Sequence, residues 1–134
     1  MRLWMISYDE LLEEIEKMKD ADCPVIVEGK KDKKSLEALG IRTIFTLDKP
    51  LYSIVEKIAY NHEKCIILTD LDKKGRQLYR KINADLSTHG VHVNNRFREF
   101  LFRKTKLRQI EGLVGYIRRM VLHAPPPAKW GKGV

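Results

Sequence analysis

Long apolar runs are missing from this sequence. No stretch approaches the ~18–20 residues that a membrane-spanning helix needs, so a helical membrane protein is excluded. Cysteine is scarce too. Cys23 and Cys65 are the only two, too few for a disulfide framework or for a paired-cysteine zinc site, and packing thiols in a reduced, cytoplasmic protein are expected. The opening Met1–Ser7 stretch is too short and too soon acidic to be a signal peptide. His62, His89, His92 and His123 show no metal-ligand spacing with cysteines or acids. Acidic residues thin out along the chain. Residues 1–63 hold ten Lys/Arg against thirteen Asp/Glu, whereas residues 64–134 hold sixteen against five. A basic excess segregated in this way points to a polyanionic partner, most often nucleic acid.

What is present suits one folded domain. The 134 residues are 43% hydrophobic and 33% charged, enough for a real core under a well-solvated surface. Ser7-Tyr8-Asp9-Glu10 is a capping-box sequence, and Tyr8, Leu11, Leu12, Ile15 and Met18 recur at helical spacing, so the pattern predicts a helix over 8–19. Pro24–Val27, Arg42–Leu47, Cys65–Thr69 and Val91–Val93 are short β-branched runs separated by helical patterns. Asp32 is expected to cap a helix over 33–39 that Gly40 closes, and a further helix follows Gly75. Strands that are continuously apolar and alternate with helices predict a mostly parallel α/β sheet of about four strands flanked by helices. Leu107, Ile110, Val114, Ile117 and Val121 predict a basic C-terminal helix over about 105–123, with a flexible tail over 125–134 beyond it.

Two predicted strands end in carboxylates, the first at Glu28 and the third at Asp70 and Asp72. In an open parallel sheet, functional groups collect at the C-terminal strand edge. A lone Glu-Gly or Asp-x-Asp after a strand is an ordinary turn; both together, across one βαβα segment, form a candidate site if the strands adjoin. A like-charged pair at about 4 Å costs on the order of 4 kcal/mol at an effective dielectric near 20. A divalent cation removes that repulsion, and an all-oxygen donor set with few protein ligands suits Mg²⁺.

Val27-Glu28-Gly29-Lys30-Lys31-Asp32 followed by Leu68-Thr69-Asp70-Leu71-Asp72-Lys73-Lys74-Gly75 resembles the two signature motifs of the toprim domain. That domain is shared by topoisomerases, bacterial primases, OLD-family nucleases and the nuclease that matures bacterial 5S ribosomal RNA. The resemblance covers residues 22–100, and the chain looks most like the small stand-alone toprim proteins known mainly from archaea. It implies a Rossmann-like toprim fold with Glu28 as general acid/base and as a contributor to the metal site, and Asp70 and Asp72 holding Mg²⁺. It implies that Gly29 and Gly75 let backbone approach closely, and that Lys30, Lys31, Lys73 and Lys74 contact the scissile backbone. Topoisomerases of the family carry a further acid two residues after the second aspartate; here that position is Lys74, which argues against topoisomerase chemistry.

Arg76, Arg96, Arg98 and Arg103 extend the basic surface, and the arginines of the 96–119 segment are expected to face nucleic acid while Phe97, Phe100 and Phe102 pack in the core. Glu111 is expected to be an ordinary helix-surface residue, the alternative being an extra acid that reaches the site. The function implied is Mg²⁺-dependent phosphodiester chemistry on nucleic acid, RNA favoured over DNA, with or without a ribonucleoprotein or partner protein. The rival is a non-catalytic RNA- or ribonucleoprotein-binding module that keeps the fold. A receiver-like signalling domain fits poorly, since it wants paired acids after its first strand and one phosphorylatable aspartate after its third.

Overall fold

The computed structural model describes residues 6–123, and the expected tail over 125–134 lies outside them. Helix α1 (Tyr8–Asp20) opens as its sequence dictates: Glu10 N donates to Ser7 Oγ and Ser7 N donates to Glu10 Oε1, both at 3.1 Å. The order then runs β1 (Val25–Val27), α2 (Lys30–Ala38), β2 (Ile44–Thr46), α3 (Leu51–Asn61), β3 (Lys64–Leu68), α4 (Lys73–Thr88), β4 (His92–Asn94), α5 (Arg96–Lys104) and α6 (Leu113–His123), with a short 3₁₀ turn, Ile110–Gly112, before α6.

The four strands form one parallel sheet in the order β2-β1-β3-β4. From β1 the chain crosses to β2 on one side, then returns past β1 to place β3 on the other, so the order reverses between β1 and β3. This is a doubly wound, Rossmann-like arrangement, and its crevice opens beyond the C-terminal ends of those two strands.

Strand side chains alternate between two cores. Val25, Val27, Ile66 and Leu68 join Leu11, Ile15, Leu36, Phe97, Leu101, Leu113 and Met120 on one face, under α1, α2, α5 and α6. Ile26, Cys65 and Ile67 join Ile54, Val55, Ile58, Ile82 and Leu86 on the other, under α3 and α4. With both faces covered, the central strands are apolar along their buried length, Val25–Val27 in β1 and 65–68 in β3, whereas the edge strand β4 keeps polar His92 and Asn94. Cys23 and Cys65 are free thiols, and burial pushes the Cys65 thiol up to about 12. Among the described residues, no helix is long and apolar enough to cross a membrane.

Two expectations are corrected and one element is added. Helix α2 begins at Lys30 with Gly29 as its N-cap, not at Lys33, and Asp32 serves from inside the first turn, accepting from Gly29 N at 3.0 Å. Past Asn95 the chain forms α5, placing Phe97, Arg98 and Leu101 on its buried side. The single helix expected over 105–123 is an extended stretch, the 3₁₀ turn and α6, and the buried side of that last part is Leu113, Tyr116 and Met120, with Val121 49% exposed. Gly112, a poor residue for a continuous helix, is the local signal for the break; Gly115 is accommodated within α6.

Candidate functional site

Because Val27 pairs with Leu68, the residues that follow them leave the sheet side by side. Glu28 Oε2 accepts a hydrogen bond from Asp70 N at 2.7 Å, joining two residues 42 positions apart. Asp72 caps α4, its Oδ1 accepting from Gly75 N at 2.8 Å. Asp70 Oδ1 accepts from Ile110 N at 2.9 Å, which brings the 3₁₀ turn and Glu111 against the same crevice. Leu71 N donates to Arg108 O at 2.7 Å, and Ser35 Oγ donates to Ile110 O at 3.4 Å, tying that C-terminal segment to the Asp70 loop and to α2.

The acids feel one another. Burial, then the charges of Asp72 and Glu111, push the Asp70 carboxyl above its ordinary value, against the hydrogen bond from Ile110 and the nearby Lys74. Asp32 is likewise raised, first by burial and then by Asp70, Glu28 and Glu111. Five carboxylates from four parts of the chain thus share one electrostatic environment. Glu111 belongs to it, although its sequence context had suggested an ordinary surface residue.

Burial of the Asp70 carboxyl, with the repulsion added to it, sets a pH dependence. A carboxyl whose folded pKa is raised binds its proton more tightly folded than unfolded, so its penalty is present at neutral pH and relieved as pH falls. Asp70→Asn, which can still accept from Ile110 N, is therefore expected to stabilise the fold at pH 7 by on the order of 0.5 kcal/mol, as for partly solvated charge pairs. In urea titrations that gain should shrink as pH is lowered through the raised pKa and vanish below the ordinary value of 3.8. A gain that does not change with pH would mean that charge is not its cause.

The donor set can be tested against a hard divalent cation. All the candidate ligands are carboxylate oxygens, the right kind for Mg²⁺. Among the described residues, the hydrogen bonds of Glu28, Asp70 and Asp72 engage one oxygen each, leaving the other unengaged. As the side chains stand, no group of three or more His, Cys, Asp and Glu residues among those described is arranged to hold a metal ion. The residues fit such an ion in chemistry and charge, and their free oxygens would have to turn towards a common point.

The basic residues divide into three sets. Lys30 and Lys31 at the start of α2, and Lys73 and Lys74 at the start of α4, are exposed around the crevice. Arg76 and Arg103 are also exposed, Arg103 beside Glu99 at 3.5 Å. Arg96 is committed: its Nε and Nη2 donate to the two oxygens of Glu14 at 2.9 and 3.0 Å, and this pairing holds the Glu14 carboxyl below its ordinary value.

Arg98, expected to face nucleic acid, is instead 5% exposed. Its Nη2 donates to Asp70 O at 2.8 Å and to Thr69 Oγ1 at 3.4 Å, its guanidinium lies 4.7 Å from the Tyr79 ring centroid, and its Nε has no partner. Burial lowers its pKa, and no carboxylate pairs with it directly. Arg98 braces the Asp70 loop from behind.

Gly75 is as close as expected: a Cβ there would collide with the Asp70 carbonyl. Gly29 is not, having extended backbone and nothing within 4 Å of its Cβ position.

Fold and site together define a doubly wound α/β protein with an acidic, lysine-rimmed crevice at its switch point. No protein-family model matches the chain. It is 35% identical over 119 residues to a UPF0292 protein of Methanocaldococcus jannaschii, covering 84% of this chain and 93% of that one. It is 33% identical over 128 residues to a UPF0292 protein of Pyrococcus horikoshii, covering 93% and 97%. The chain belongs to the UPF0292 family. A solved structure of a protein from Aquifex aeolicus has the same fold, with a TM-score of 0.70 at 34% identity over 74% of this chain and 94% of that one.

Proposed function

We propose that the crevice carries out Mg²⁺-dependent phosphodiester chemistry on nucleic acid, as a toprim-like endonuclease acting on RNA in the cytoplasm. The observation that carries this reading is the 2.7 Å hydrogen bond from Asp70 N to Glu28 Oε2, which sets the Glu28 carboxylate against the Asp70–Asp72 loop at the switch point. Asp70 and Asp72, with Glu28 beside them, are the residues that would hold the ion. When bound, it supplies charge neutralisation at the phosphate and the leaving oxygen. Glu28 accepts a proton from the attacking oxygen or returns one to the leaving oxygen. Lys30, Lys31, Lys73 and Lys74 hold the flanking phosphates, and Arg98 fixes the carbonyl of Asp70 so that its carboxylate keeps its place.

Incubation with structured RNA is the test. Cleavage is expected in Mg²⁺ and is expected to stop when EDTA removes the ion. The absence of three preassembled ligands among the described residues favours a second reading, an RNA-binding module without catalysis. Tight binding with no cleavage in Mg²⁺ would decide for that module and against the nuclease.

A further inference from the structure

Phe102 differs from the other phenylalanines of the basic segment. Phe97 is 4% exposed and stacks with Phe100 at a centroid distance of 6.4 Å, whereas Phe102 keeps 38% of its surface in solvent. Two guanidinium groups attend its ring, Arg108 at 5.2 Å and Arg76 at 6.0 Å from the centroid. The ion pairs among the described residues engage Arg96 and Arg103 but neither of these two. Both lean on the acidic loop. Arg76 Nη1 donates to Leu71 O at 3.2 Å, and Arg108 O accepts from Leu71 N, with Leu71 standing between Asp70 and Asp72.

A half-exposed ring flanked by two cations that have no carboxylate partner among the described residues offers flat π surface and positive charge at one place. An unpaired nucleotide matches both: its base stacks on an aromatic or guanidinium plane, and its phosphate meets the arginines. In a duplex the base faces are hidden by their neighbours, so such a surface selects single strands.

We propose that Phe102, Arg76 and Arg108 form a subsite for one unpaired nucleotide of a single-stranded nucleic acid beside the acidic crevice. The proposal rests on the phosphodiester reading and adds that the strand is unpaired where it enters.

The test is a titration in EDTA, where no metal-dependent cleavage occurs. The probes are short ribo- and deoxyribo-oligonucleotides carrying 2-aminopurine, with the matching duplexes for comparison. Phe102→Leu, which keeps both charges, is expected to weaken single-strand binding by about tenfold. Duplex affinity and the thermal midpoint should stay unchanged, and Phe102→Trp should restore single-strand affinity. Equal affinities for wild type and Phe102→Leu, equal losses on single strand and duplex, or no single-strand binding by wild type would each overturn the subsite. The two readings fail separately. A protein that binds through Phe102 but never cleaves removes the nuclease and leaves the subsite. One that cleaves in Mg²⁺ while Phe102→Leu binds normally does the reverse.

Discussion

The Glu28→Gln protein is expected to lose RNA cleavage by about 10²–10⁴-fold, the usual weight of a positioned acid or base, while binding RNA as wild type does in EDTA. The substitution is close to isosteric. A glutamine carbonyl oxygen can accept from Asp70 N as Glu28 Oε2 does, so the link between the ends of β1 and β3 survives. What disappears is the charge and the ability to carry a proton. Because Glu28 adds to the repulsion that raises Asp32, removing its charge should leave the fold as stable as before or slightly more so. Cleavage, filter binding and a thermal melt on the same preparation check all three parts. Undiminished cleavage by the variant would remove Glu28 from the chemistry.

Gly75→Ala is expected to have the largest effect on stability. In an exposed helix the change would stabilise by up to about 1 kcal/mol, because glycine is a poor helix former. At Gly75 the opposite sign wins. The residue is buried in the first turn of α4, and its new Cβ would overlap the Asp70 carbonyl and lie 2.9 Å from Asp70 Cα. The obstacle is backbone, held by Arg98 at the carbonyl oxygen and by Glu28 at the amide, so it cannot swing aside as a flexible side chain would. The same crowding would strain the Gly75 N bond to Asp72 and the bond from Thr69 Oγ1 to Gly75 O at 2.7 Å. Overpacking against a fixed wall costs about 3 kcal/mol, which lowers the melting midpoint by roughly 10 °C in a domain of this size. Gly29→Ala serves as the internal control. Its Cβ would meet open space on extended backbone, and alanine in place of glycine at an N-cap costs only a few tenths of a kcal/mol. Similar midpoints for the two variants would show that the Asp70 backbone can move.

Much of this was legible locally. Val25–Val27 and Lys64–Leu68 announce themselves by near-continuous apolar composition, and the Ser7–Glu10 capping box forms as written. The acids at the strand exits were visible because a charge right after a buried strand has few places to go. The C-terminal third was harder. The Leu107-to-Val121 stripe has helical spacing, yet long-range bonds from Ile110 N to Asp70 and from Leu71 N to Arg108 O hold 105–109 out of a helix and swing Glu111 to the crevice. Composition also made Arg98 look like a surface cation. Its burial follows from its position beside Phe97 and Leu101 on the packed side of α5, a helix that the dense charges after Asn95 concealed.

The order of elements as far as β4, the parallel character of the sheet and the placing of carboxylates at strand ends are written in the chain itself, because periodicity, apolar runs and capping residues act over a few neighbouring positions. That β1 lies beside β3, that the 3₁₀ turn packs against the Asp70 loop, and that one arginine is buried behind Asp70 while others lie beside the Phe102 ring were decided by tertiary packing. Those contacts join residues tens of positions apart, and they exist only once helices cover both faces of the sheet and expel water from between them.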